Sequence, residues 1–250
     1  MQAFLTLTRR ELGSFFVSLI GYVVIGLTVS QIGLSFVILL TNLQNQSTPV
    51  PLAELFYATP FFWIILLLAT PLITMRLFAL EKFSGTFETL MTAPVSDLAV
   101  VMAKFCAALI FYFVLWLPLA ACILISRHYT SDPAALDLGA LGGMFIGILC
   151  LGCLYVSMGC FASALSRSQI IAAVVSLALG LSFFLVSFLS DTVSMQTGLL
   201  LDVINYVNIV DQMHDFARGV VDTRHVIFYA SGTVFFLFLT YRVIESRRWK

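Results

Sequence analysis

The sequence predicts an all-α integral membrane protein with six transmembrane helices. Three observations carry this. The chain of 250 residues is 60% hydrophobic and only 10% charged, whereas soluble domains carry about 25% charged residues. Its mean hydropathy is +1.03, more apolar surface than a soluble domain of this size can bury. And it holds six apolar segments near the ~20 residues a helix needs to cross hydrocarbon, at roughly 15–41, 57–79, 105–126, 139–164, 170–190 and 226–242.

The first dozen residues precede these spans as an amphipathic helix. On a helical wheel Phe4, Leu5, Leu12, Phe15 and Phe16 share one face, opposite Gln2, Thr6 and Arg10, the pattern of a helix lying along the membrane surface. A polar leader without fixed structure is the plainer alternative. Residues 12–53 hold no charge. The apolar run is too long for a signal-peptide core and no small-x-small site follows it, so it reads as a retained span.

Six spans put both termini on one side. With the termini inside, the inner connections hold Arg9, Arg10, Arg76, Lys82, Lys104, Arg167, Arg242, Arg247, Arg248 and Lys250, ten in all; the outer ones hold Arg127, Arg218 and Arg224. The positive-inside rule therefore puts both ends in the cytoplasm. Apart from Arg76, placed to snorkel at a span end, the span cores carry no ionisable side chain, which argues against a self-sufficient ion-coupled carrier. No Lys follows a Gly, so there is no phosphate-binding G-x-x-x-x-G-K-[ST] loop. Energy must come from another chain. The zero net charge and the lack of a basic run point away from nucleic acid.

Within the spans, Gly139, Gly143 and Gly147 repeat every four residues in the fourth helix, and Ser176 and Gly180 do so in the fifth. This small-x-x-x-small spacing lets backbones approach closely, for helix packing, a dimer face or a transport path. Pro60, Pro71 and Pro118 lie within or at the ends of spans and are expected to kink them. Cys106, Cys122, Cys150, Cys153 and Cys160 all lie in apolar stretches and read as small buried hydrophobes.

The most polar stretch is "RLFALEKFSGTFETLMTAPVSDLAVVMAKF", residues 76–105, which gathers Arg76, Glu81, Lys82, Glu88, Asp97 and Lys104. Phe83, Phe87, Leu90 and Met91 are spaced as one helical stripe. Pro94 ends that helix, and Ser96 or Asp97 caps the next. Gly85 offers a surface for close approach. A helix, a break and a capped helix across a membrane end can be pushed from outside, though a plain solvated loop would use the same residues.

This stretch resembles the signature of ABC type-2 permeases, in particular the gliding-motility-associated subgroup, at Glu81, Lys82, Gly85, Thr86, Glu88, Leu90, Pro94 and Val95. Leu80 stands where many members have an acidic residue. "LTRRELGSFFVSLIGYVVI" is similar to the family's amphipathic first helix, and "FARGVVDTRHVIFYASGTVFFLFLTYRVIESRRW" to its closing segment. The resemblance implies a permease subunit, an exporter in a bacterial inner membrane, with no nucleotide site of its own. It implies a cytoplasmic coupling helix within residues 80–95 that seats in a separate ATP-binding subunit, which holds ATP and Mg. Glu81, Lys82, Gly85, Thr86, Glu88 and Pro94 would form the contact, with Ser166 and Arg167 of the short "LSRSQ" turn as a second one. The implied partners are a second permease copy or homologous membrane subunit, the lipid bilayer and an accessory membrane protein.

Before the last span, Ile209, Met213, Phe216 and Val220 share one helical face, and Asp211, Asp215, Arg218 and Asp222 another. Asp215–Arg218 and Arg218–Asp222 are spaced as side-chain pairs. The segment reads as a helix half-sunk in the outer leaflet; surface anchoring is one use, and closing the exit of a path is what the resemblance implies. His128, His214 and His225 lack metal-ligand spacing, and no catalytic constellation is visible. Two rival readings remain: a non-transporting scaffold coupled to an ATPase, and a membrane-embedded lipid-processing enzyme, for which the spans lack the acidic, His or nucleophile pairs.

Overall fold

The computed structural model describes residues 2–43, 52–57, 59–88, 95–129, 138–193 and 206–246, and every element among them is an α-helix. Among the described residues six helices are long and apolar enough to cross a membrane, beginning at Leu19, Pro60, Asp97, Gly139, Gln169 and Thr223.

Helix α1 (Gln2–Val17) is separated from α2 (Leu19–Leu43) by a break at Ser18. The Ser18 hydroxyl accepts from Gly21 N at 3.0 Å and donates to the Phe15 carbonyl at 3.1 Å, so it caps the new helix. The first span thus starts at Leu19, not at residue 15. The buried stripe of α1 also differs from the expected face. Leu7, Leu12 and Phe15 turn inward, while Leu5 is 61% exposed. The reason is a partner: Phe15 stacks on Phe111 at 5.0 Å, and packing on a neighbouring span, rather than on lipid alone, sets which face is covered.

Next come α3 (Leu52–Tyr57) and α4 (Pro60–Thr74). Pro60 occupies the first turn of α4, where a missing N–H costs nothing; Pro71 lies inside the helix. A turn leads to α5 (Ala79–Ser84). Helix α6 (Asp97–Leu115) starts at Ser96, whose side chain accepts from Ala99 N at 3.3 Å, and α7 (Leu117–Tyr129) continues the span after a break at Trp116 beside Pro118. Helix α8 (Leu138–Leu165) has 28 residues, about 42 Å at ~1.5 Å per residue, more than the ~30 Å hydrocarbon core. Helices α9 (Gln169–Val193), α10 (Ile209–Ala217) and α11 (Thr223–Ser246) complete the chain.

Helix α8 is the axis of the bundle, packed by α4, α6, α9, α10 and α11. It and α4 are the most buried spans; α2, α9 and α11 are the least. The outer helices turn Leu27, Val37, Val174, Val234, Phe235 and Phe238 to the surroundings, as helices bathed in lipid do. Without a hydrophobic drive between helices in lipid, close packing of small residues holds them. Gly159 of α8 lies against Thr74 of α4, and Gly180 of α9 against Tyr155. The Tyr155 hydroxyl also donates to the Gly180 carbonyl at 3.0 Å. The five cysteines are free thiols.

Candidate functional site

Chemistry-bearing side chains gather at the two ends of the bundle. One end, the near end, carries α1, α5, the start of α6 and the end of α8. Here α5 is held from two directions. Its first two backbone donors, Phe78 N and Ala79 N, point at the buried Ser163 hydroxyl of α8 at 3.0 and 3.1 Å, and that hydroxyl donates to the Met75 carbonyl at 3.2 Å. A side chain from another helix thereby satisfies helix-start groups that would otherwise lack partners. The Lys82 ammonium donates to the Ala164 carbonyl, at the C-terminus of α8, where the helix dipole favours a cation.

On its other side α5 joins an ion cluster that is buried at Lys104 and open to the surroundings at Arg10. Glu81 Oε1 lies 2.9 Å from Lys104 Nζ and 3.2 Å from Arg10 Nη2. Glu11 Oε1 lies 3.1 Å and 2.9 Å from the same two cations. Two carboxylates and two cations, from α1, α5 and α6, close a neutral square. The Lys104 side chain is 3% exposed and sits over the Phe78 ring at 5.4 Å. A buried charge is tolerated when paired on this scale.

Gly85 then ends α5 with φ +76°, a left-handed conformation that glycine adopts without strain. This breaks the expected apolar stripe. Phe87 is buried beneath Lys82, its ring centre 5.3 Å from the ammonium, whereas Phe83 is 78% exposed. Leu90, Met91 and Pro94 lie outside the described residues.

The residues singled out from the sequence therefore divide. Glu81 and Lys82 bind within the chain; Gly85, Thr86 and Glu88 face outward beside Phe83. At the α8–α9 turn Arg167 is exposed, and Ser166 forms a local turn with Ser168, accepting from its N–H at 3.0 Å. Sequence reading missed Lys104, Glu11 and Ser163. Lys104 counted there as a connector charge, yet it lies on the buried face of α6 with Val100, Ala107, Ala108 and Phe111. A lone Lys at helical spacing within an apolar stripe was the available signal.

At the far end, α10 lies against the glycine stripe of α8. A methyl on Gly143 would overlap the Phe216 carbonyl, and one on Gly147 would meet the Phe216 side chain at 3.0 Å. Gly139 begins the stripe, exposed, near the turn at Gly219. Ser176 is buried within α9. Ile209, Met213 and Phe216 are fully buried, but Val220 lies past the helix and is 56% exposed. Asn208 caps α10, accepting from Val210 N and Asp211 N.

The expected ladder of Asp215, Arg218 and Asp222 does not form, because α10 ends at Ala217 and Gly219 turns the chain at φ +81°. Arg218 instead donates to Glu54 of α3 at 2.7 Å, and this carboxylate holds its guanidinium above the ordinary value. Asp215 pairs with His225 at 3.0 Å. Asp222 accepts from Arg224 N at 2.8 Å at the start of α11. Tyr57 of α3 donates to the Met144 carbonyl of α8 at 2.8 Å.

The geometry is that of a membrane bundle with a protruding bracket at one end and a short amphipathic helix at the other. Residues 37–209 match the family described as ABC-2 family transporter protein. The chain belongs to this family. The match runs from α2 through the bracket to the start of α10, more than two-thirds of the chain. No curated protein matches. As an ABC-2 family member the chain is a multi-pass membrane protein and a permease subunit of an ABC transporter, a class that works with an ATP-binding subunit.

Proposed function

We propose that the near end faces the cytoplasm of a bacterial cell and that its outward rim, Phe83, Gly85, Thr86 and Glu88, seats in a separate ATP-binding subunit, making the chain the inner-membrane permease of an exporter. The excess of Lys and Arg in the near-end connections supports the orientation. The observation that carries the docking reading is the exposed Phe83 at a glycine turn. A large apolar side chain left 78% in the open, ringed by small and polar groups, is a typical anchor for a partner's pocket.

The mechanism follows from the fastenings. ATP binding closes the paired nucleotide-binding subunits, where ATP and Mg reside, and moves α5. Because α5 is tied to α8 through Ser163 and Lys82 and to α1 and α6 through the ion square, the push reaches three further helices at once. Helix α8 bears α10 at its other end, so its displacement reaches the far side, where α10 can alter access for substrate. A second permease copy supplies the other wall of the path. This chain makes and breaks no bonds.

The test is a reconstituted complex of the chain with its ATP-binding subunit. Phe83→Asp and Glu88→Arg are expected to abolish transport-linked stimulation of ATPase activity while membrane insertion stays normal. Wild-type stimulation in both variants would place the docking surface elsewhere.

A further inference from the structure

Beside the ion square, α1, α5 and the turn before α5 enclose a cavity of about 660 Å3 that opens at the near end, a size typical of small-molecule sites. Leu7, Phe15, Leu77 and Leu80 supply its apolar wall. Its charge comes from the four members of the square and from Arg76.

Most of that charge cancels. Glu11 and Glu81 are each answered by both Arg10 and Lys104, so the square contributes no net charge. Arg76 is left over. It is half-buried, just past the end of α4 at Thr74, and has no hydrogen-bond or ion-pair partner among the described residues. The cavity thus carries one unanswered positive charge, while its two carboxylates are already paired. A guanidinium presents a planar fork of donors that matches the oxygens of a phosphate. A free phosphate would satisfy the fork but leave the apolar wall in water. An anion joined to hydrocarbon satisfies both, and the end of a span is the level at which a bilayer holds its phosphates.

We infer that this cavity binds a phospholipid of net negative charge, its phosphate on Arg76 and its glycerol and upper acyl chain against Leu7, Leu77 and Leu80. An ethanolamine or choline headgroup brings an ammonium into a cavity that has no free carboxylate to receive it, so those lipids are the weaker ligands. The assignment does not depend on what grips Phe83, and its test needs no ATP-binding subunit.

The full-length chain, stripped of lipid in detergent, is titrated separately with phosphatidylglycerol, phosphatidylethanolamine and phosphatidylcholine of the same acyl chains, and bound lipid is counted by native mass spectrometry. Phosphatidylglycerol is expected to bind about fivefold more tightly than the other two, the scale of one headgroup charge against one basic side chain. Arg76→Gln should remove that preference. Leu80→Trp, which fills the cavity and keeps every charge, should remove it as well, by a route independent of Arg76. Arg9 is exposed on α1 and lies outside the cavity, so Arg9→Gln should leave the preference intact. Equal affinity of the wild type for the three lipids overturns the proposal, as does an unchanged preference in Arg76→Gln or in Leu80→Trp. Equal losses in Arg9→Gln and Arg76→Gln overturn it too, since the preference would then be the general attraction of a basic surface. So does displacement of phosphatidylglycerol by an equal concentration of inorganic phosphate, which would make the cavity a plain phosphate site.

Discussion

At the scale of single residues, burial separates groups that the sequence presents as equals. Arg10 and Lys104 touch the same two carboxylates. Yet the Arg10 side chain is 60% exposed and that of Lys104 is 3% exposed. Removing one partner of a buried pair costs about 3–5 kcal/mol, because the other charge stays desolvated. An exposed pair is worth about 0–1 kcal/mol. Lys104→Ala should therefore lower the thermal unfolding midpoint of the purified protein sharply, whereas Arg10→Ala should barely move it. Equal shifts would mean that water reaches the square. The same comparison applies at the far end, where Arg218 is also 60% exposed, so Arg218→Ala should cost about as little as Arg10→Ala. None of these pairings was legible beforehand. Arg10 and Glu81 lie 71 residues apart, and spacing rules within one helix say nothing about partners on different helices.

At the scale of elements, two glycines do different work. Gly85 is needed for its backbone: an alanine at φ +76° costs about 1–2 kcal/mol, with open space around the added methyl. Gly143 is needed for its surface, since a methyl there overlaps a backbone carbonyl that cannot rotate away. Gly143→Ala should lift α10 off α8 at an overpacking cost of about 1–3 kcal/mol. The check is hydrogen exchange in residues 209–217, which should speed up in Gly143→Ala and stay unchanged in Gly85→Ala. Unchanged exchange in Gly143→Ala would mean that α8 bends to absorb the methyl. The glycine stripe was visible in the sequence because its period is a backbone property. What it receives was not, and α10 arrives from more than 60 residues later in the chain. Likewise the expected Asp215–Arg218–Asp222 ladder assumed a helix continuing past residue 217, and only the left-handed turn at Gly219 shows that it stops.

At the scale of the whole molecule, lipid made the sequence readable. Spans must be long, apolar and internally hydrogen-bonded, so their number and order follow from composition. The same constraint ties orientation to a few exposed sites. If the near end faces the cytoplasm, Thr86 and Arg167 lie on one side of the membrane and Asp222 on the other, since α11 crosses back from the far end and packs Phe236 against Phe161 near the end of α8. All three positions are outside the apolar parts of the spans, whereas the five native thiols lie within them. A cysteine at Thr86 or Arg167 should react with a membrane-impermeant maleimide only in inside-out vesicles, and one at Asp222 only in right-side-out vesicles, against a low native background. Labelling of Thr86 from the outside would invert the molecule and remove the bracket from the reach of any cytoplasmic ATPase. Labelling of Thr86 and Asp222 from the same side would be more damaging still, because it would require an even number of crossings between Thr86 and α11 where the described helices supply three.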